Sequence, residues 1–288
     1  MKNLDIVITS DSTSDLSPEL KERYNISTIP MGITLGDKLF LDNGIDITPD
    51  MIYEHHSKTG ELPKTNANNY ADCYDFFKPL VDAGKKVIHF TISSEMSSTY
   101  NNTCMAAEEL GNVFVIDSRN LSTGTGLLLI AAAEMAESGM EAEAIVEKLN
   151  ELVKCSDASF VIDSLEYLHK GGRCSALAAL GANLLKLKPC IQVKEGKMGV
   201  VKKYRGKYAD VLKEYVKNKL ENLNDIEPKH VFITHAGCDD DIVNAVFEQV
   251  KSYNYFENIY ITRAGCTVSS HCGKDTLGVL FIRKSPIV

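Results

Sequence analysis

Short apolar, β-prone runs alternate with helical stretches from Leu4 onward, and this alternation limits the chain to few folds. Leu4–Thr9 (LDIVIT) has a strand composition and runs into the polar turn Ser10–Asp15. A helix is predicted over Ser17–Tyr24, with Pro18 at its first position, where proline is tolerated. Ile26–Leu35 reads as a second strand and Phe40–Ile47 as a mixed segment, before Thr48-Pro49-Asp50 opens a helix through His56. Strands separated by helices make parallel pairs, so the expectation is an α/β domain with a largely parallel sheet.

The most informative unit is Val87–Ala107 (VIHFTISSEMSSTYNNTCMAA). The strand Val87–Ile92 passes through the hydroxyls Ser93, Ser94, Ser97, Ser98 and Thr99 into a helix that stops at Gly111. The first amides of a helix lack partners and its dipole is positive there, so such a turn suits a carboxylate or a phosphate. Ser97 or Ser98 either caps the helix or turns its hydroxyl to a ligand. Leu62–Asn69 (LPKTNANN) is a loop by composition, in which Thr65 either meets a ligand or caps the helix Tyr70–Ala83. Val113–Ile116 is a further strand, followed by Asp117, Ser118, Asn120 and Ser122 through Gly126. The ends after Thr9, Ile92 and Ile116 are all polar, and open α/β sheets bind ligands beyond such ends. Gly124-x-Gly126 lacks the third glycine and the lysine of phosphate motifs.

Leu127–Ala136 is apolar nearly all round and is expected as a buried helix; Ala144–Val153 is more amphipathic. A domain boundary is placed near Cys155–Ser159, giving residues 1–158 and 159–288. In the second part a strand, Phe160–Asp163, precedes a helix ending at Gly171-Gly172, after which Arg173 offers a fork to a carboxylate or stands in solvent. Ala176–Leu187 (ALAALGANLLKL) is a small-residue helix with room beside it for another helix or a lipid chain. Cys190–Val193 and Gly199–Tyr204 form a hairpin around Glu195-Gly196, and Lys202, Lys203, Arg205 and Lys207 charge its far end. Tyr208–Leu223 and Asp239–Tyr253 are helices; His230–His235, Ile259–Thr262 and Leu277–Ile282 are strands.

The formal charge of −8 argues against nucleic acid as a partner. The best apolar run, Leu127–Ala133, is of core-helix length, so no membrane segment is expected. Eight scattered cysteines without a C-x-x-C pair, and no signal-peptide layout at the start, suit a reducing cytoplasm. His271, between Ser270, Cys272 and Gly273, can bind an anion, act as a base or ligate a metal. A serine from 93–98 with His271 as base and Asp11 or Asp117 behind it would make a hydrolase of a lipid-like ester, but no G-x-S-x-G elbow is present. A metal held by Cys272, His271 and His235 fits no standard spacing.

Taken in order, several motifs resemble the DegV family. They are Asp11-Ser12-Thr13-Ser14-Asp15-Leu16; Pro63-Lys64-Thr65; Ile92 through Tyr100; Val115-Ile116-Asp117-Ser118; Leu165-Glu166-Tyr167-Leu168 with Gly171-Gly172-Arg173; Leu187-Lys188-Pro189; and His271-x-Gly273. The resemblance spans nearly the whole chain. It implies two α/β domains with a long-chain fatty acid in the cleft between them, its tail buried and its carboxylate near the surface. It further implies a bacterial, cytoplasmic carrier without catalytic residues, metal or cofactor, serving a separate fatty-acid kinase subunit in phospholipid metabolism. By the resemblance Thr65, Ser97, Ser98 and His271 bind the carboxylate, Arg173 and Ser94 stand close behind, and Arg205 docks the kinase. The chain departs from the family pattern at Asn66-Ala67-Asn68-Asn69, at Ser98 in place of glycine, and at Cys272-Gly273-Lys274-Asp275 after His271.

Overall fold

The computed structural model describes residues 5–174 and 187–287. Its first half runs β1 (Ile6–Asp11), α1 (Pro18–Arg23), β2 (Ile26–Ile29), β3 (Gly32–Leu35), β4 (Lys38–Leu41), α2 (Pro49–Thr59), β5 (Lys64–Asn66), α3 (Tyr70–Asp82), β6 (Lys86–Thr91), α4 (Thr99–Leu110), β7 (Val113–Asp117), α5 (Thr123–Glu137) and α6 (Ala142–Leu152). Strands β2, β1, β6 and β7 form a parallel sheet in that order. β6 is buried along nearly its whole length, as a strand covered on both faces by helices must be. Because neighbouring parallel strands end on the same side, the polar turns after β1, β6 and β7 do converge on one edge.

The second half runs β8 (Ser156–Asp157), β9 (Ser159–Ile162), α7 (Glu166–Gly171), β10 (Lys188–Lys194), β11 (Lys197–Tyr204), α8 (Tyr208–Lys219), β12 (Ile226–His235), α9 (Asp240–Ser252), β13 (Asn258–Arg263), α10 (Cys266–Cys272) and β14 (Thr276–Arg283). They form a mixed sheet in the order β11-β10-β9-β14-β12-β13, with β8 on β14 and β12–β13 the parallel pair. The predicted β10–β11 hairpin turns at Glu195 and Gly196, both at positive φ (50° and 80°), which matches the twist of two-residue hairpins. Helix α5 is the layer shared by the two sheets. Leu127, Leu128, Leu129 and Ile130 are buried, and the helix touches β1 and β6 on one side and β8, β12 and β14 on the other. That explains a helix apolar all round.

The structure departs from the sequence reading at three places. Ile26–Leu35 is two strands, because Pro30-Met31 interrupts it: β2 stays in the parallel sheet, and β3 pairs antiparallel with β4 and β5 in a separate small sheet. The 62–69 loop contains β5, with Thr65 opposite Ile33. Thr65 caps nothing; Asn69 caps α3 in a capping box closed by Asp72. Residues 265–273, where no element is legible, hold α10, built of Cys, Thr, Val, Ser and His, all mediocre helix formers. Of the helix expected over Ala176–Leu187, residues 176–186 lie outside the described residues.

Candidate functional site

β5 and α10 meet at a side-chain pair far apart in sequence: Thr65 Oγ1 lies 3.0 Å from His271 Nε2. Beside it opens a cavity of about 570 Å³ faced by Thr65, Ser97, Ser98, Arg173 and His271. Five of the residues singled out in the sequence are therefore together. Ser97 combines both roles open to it. Its Oγ accepts from the Thr99 amide at 3.2 Å and lies 2.9 Å from Thr99 Oγ1, while it also faces the cavity. Ser98 occupies the formal cap position but makes no side-chain cap bond.

Arg173 follows α7 at the left-handed Gly172 (φ 69°) and donates from Nη1 to the Gly171 carbonyl at 2.8 Å. Gly171 is required by space: a Cβ there would stand 2.6 Å from His271 Nδ1. That nitrogen is buried and has no partner among the described residues. Burial, with the Arg173 charge adding to it, pushes His271 down to about 4, so the imidazole is neutral at pH 7. Of the roles open to it in sequence, the neutral ring offers a hydrogen bond.

His89, fully buried beneath the strand end and 2.8 Å from Thr9 Oγ1, is pushed down by burial to about 3. Both histidines have folded values below the ordinary 6.5, so the stability they confer is complete above pH 6.5 and is lost as pH falls toward 3. Each ring that takes up a proton on unfolding lowers stability by about 1.4 kcal/mol per pH unit, while Asp15, raised by burial to about 8, has the opposite sign. Urea midpoints at pH 7, 5.5 and 4.5 for the wild type and His89→Gln therefore isolate the His89 share, and identical pH slopes in the two proteins would show that ring to be solvated.

The remaining candidates lie elsewhere. Ser94 does not face the cavity; its hydroxyl donates to Asp117 Oδ2 at 2.5 Å. Arg205 is exposed just past β11 and is not among the cavity-facing residues. Most hydroxyls after β1 and β7 are consumed internally. Asp11 accepts from Thr13 and from the Ile92 amide, Thr125 donates to Ser118, and Thr123 bonds Thr234. The hydrolase arrangement does not assemble, since His271 Nε2 faces Thr65 and both Asp11 and Asp117 are engaged by other groups. Among the described residues no group of three His, Cys, Asp or Glu could hold a metal, and no helix is long and apolar enough to cross a membrane.

Leu121, Val268 and Cys272 face the cavity and also a narrow slot of about 30 Å³ behind it, whose other walls include Ala158, Phe160, Ala264 and Leu280. The cavity, which also has Met31, Ile92, Met96 and Met198 on its walls, thus backs onto a narrower apolar slot. A larger cavity of about 690 Å³ lies across the 93–98 turn, where Glu95, Asp117, Arg119 and Lys197 face it together with Val115, Val153, Val193 and Ile287. The apolar wall of the slot escaped sequence reading because it is assembled from β9, α10, β14 and the turn before α5, each contributing one or two apolar side chains.

Comparison with known proteins places the chain among close structural relatives. The profile described as "Uncharacterised protein, DegV family" matches residues 5–284. A DegV domain-containing protein of Clostridium perfringens is 32% identical over 286 residues, covering 97% of this chain and 99% of that one. A Thermus thermophilus structure described as fatty acid binding of a DegV family protein superposes with a TM-score of 0.90 at 26% identity, covering 97% of this chain and 100% of that one. A stearic-acid-binding protein of Eubacterium ventriosum superposes with a TM-score of 0.81 at 27% identity, covering 96% and 98%.

Proposed function

The chain belongs to the DegV family, and on that footing we propose that it binds a long-chain fatty acid and presents the carboxylate to a separate kinase subunit. The observation that carries this reading is the cavity with Thr65, Ser97 and His271 on one wall and Met31, Ile92, Met96 and Met198 on the others, sharing Leu121, Val268 and Cys272 with an apolar slot behind it. In the neutral tautomer with the proton on Nε2, His271 donates to Thr65 Oγ1. The Thr65 hydroxyl proton is then free to point at a carboxylate oxygen. Ser97 supplies a second hydroxyl, Ser98 lies beside it, and the exposed Arg173 offers a fork at the mouth, suited to a carboxylate or to an acyl phosphate. The tail runs past Val268 into the slot, which must widen from about 30 Å³ to hold it. Burying each methylene stabilises the complex by about 0.8 kcal/mol, so micromolar or tighter binding is within reach.

This chain performs no chemistry of its own in that scheme and needs no metal or cofactor. Residues 1–158 supply the hydroxyl loops and residues 159–288 most of the slot. The kinase subunit approaches the exposed cations Lys202, Lys203, Arg205 and Lys207, which stand out on a chain of net charge −8. Such a carrier works in the cytoplasm, where the kinase finds its nucleotide.

Mass spectrometry of the gently purified protein, native and then denatured, tests the reading. A mass excess equal to one fatty acid, released on denaturation, is the expected result. A protein that stays at its apo mass after incubation with palmitate and stearate is no fatty-acid carrier. Phosphorylation of the bound acid by an added kinase subunit, lost on Arg205→Ala, tests the presentation step separately.

A further inference from the structure

We propose that Asp42, seconded by Asp15, is a positioning residue of the carboxylate site, because it seats the first turn of α10 and so sets where His271 meets Thr65. The inference rests on Thr65 and His271 holding the carboxylate.

Asp42 follows directly on β4 and is buried, at 6% exposure. Its Oδ1 accepts from the Cys266 amide at 2.9 Å; its Oδ2 accepts from the Thr267 amide at 2.9 Å and the Thr267 hydroxyl at 2.6 Å. Ser12 adds a fourth, longer bond at 3.3 Å. Asp15 Oδ1 takes the preceding amide, Gly265, at 2.8 Å. Three successive amides at the start of α10 therefore go to two carboxylates supplied from more than 200 residues away in the chain. These donors have no partner within their own helix, and the two acids satisfy them. Gly265 makes the approach possible, since a Cβ there would stand 3.2 Å from Asp15 Oδ1 and 3.4 Å from Asp42 Oδ1.

The small sheet turns this contact into a gauge. Asp42 extends one edge strand, Thr65 sits on the other, and β3 joins them in the registers Gly32↔Leu41 and Ile33↔Thr65. The outer strands are thus about 10 Å apart. α10 lies against β3 and β5, and it rises about 6 Å from Thr267 to His271. Its first turn is held at one edge of the sheet and its last meets Thr65 at the other. A short helix moves as a unit, so a shift at Asp42 is delivered to the 3.0 Å contact at His271, which fails as a hydrogen bond near 3.6 Å.

The test compares palmitate with 1-hexadecanol, which has the same tail and no carboxylate, in the full-length protein and in Asp42→Asn and Asp42→Glu. Asp42→Asn is expected to weaken palmitate about ten-fold or more, and hexadecanol less than about two-fold. Asp42→Glu keeps the charge and moves the helix, and is expected to lose palmitate preference too. Equal losses for both ligands would reduce Asp42 to a purely structural role, and an unchanged palmitate preference in a folded variant would overturn the proposal. Should Asp42→Asn fail to fold, Asp42→Glu decides alone, read also by the His271 ring nitrogen shifts, which report the Thr65 bond. A wild-type protein that binds both ligands equally would instead refute the carboxylate site, and leave Asp42 without a role there.

Discussion

Val268→Phe is expected to abolish high-affinity binding of palmitate while the protein still folds. Val268 is 7% exposed and faces both the hydroxyl-lined cavity and the slot behind it, so a larger ring there closes the passage. Excluding about eight methylenes from burial forfeits about 6 kcal/mol, or about four orders of magnitude in affinity. Overpacking of α10 costs about 1–3 kcal/mol, which lowers the melting temperature without exhausting the stability of a domain. Calorimetric titration separates the two effects. Palmitate binding to the variant falls to the level of octanoate binding to the wild type, while octanoate binding changes little. Undiminished palmitate affinity would mean that the tail takes a path other than past Val268.

The second large effect is expected from Thr65→Ala combined with Ser97→Ala. Each hydroxyl bonded to a carboxylate contributes about 1.5–3 kcal/mol, so losing both weakens a fatty acid by about two to four orders of magnitude. Ser97→Ala also removes the acceptor of the Thr99 amide, at a cost of about 1 kcal/mol to α4. The methyl ester of the same acid is the control, since it keeps the tail and loses the charge. A double mutant that binds the free acid as tightly as the wild type would sink the assignment of these two residues. The acid lability expected from His89, which does not face the cavity, is independent of any ligand and serves as a check that this ring is buried as described.

What was legible in the sequence was whatever rests on local pattern. The alternation of β-prone runs with capped helices implied the parallel sheet, since a crossover helix covers each parallel pair. The all-round apolar character of Leu127–Ala136 announced a buried helix. The Glu195-Gly196 hairpin and the Gly171-Gly172 stop were visible because positive φ selects those residues or tolerates them. Ser97 and Thr65 stood out as hydroxyls in polar turns, and the family resemblance grouped them with His271.

Tertiary structure alone decided the rest. Composition reads 62–69 as loop, yet Lys64–Asn66 is a strand because β3 offers it an edge. Nothing near residues 265–273 signals a helix, because the groups that satisfy its first amides, Asp15 and Asp42, lie at the other end of the chain. The protonation state of His271 is equally invisible in sequence. It follows from burial and from Arg173, and only folding brings these to bear on the ring. Local pattern determines which elements form, since caps, turns and periodicity act over a few residues. The site belongs to contacts between residues more than 200 positions apart, and those exist only once the sheets have closed on α5 and α10.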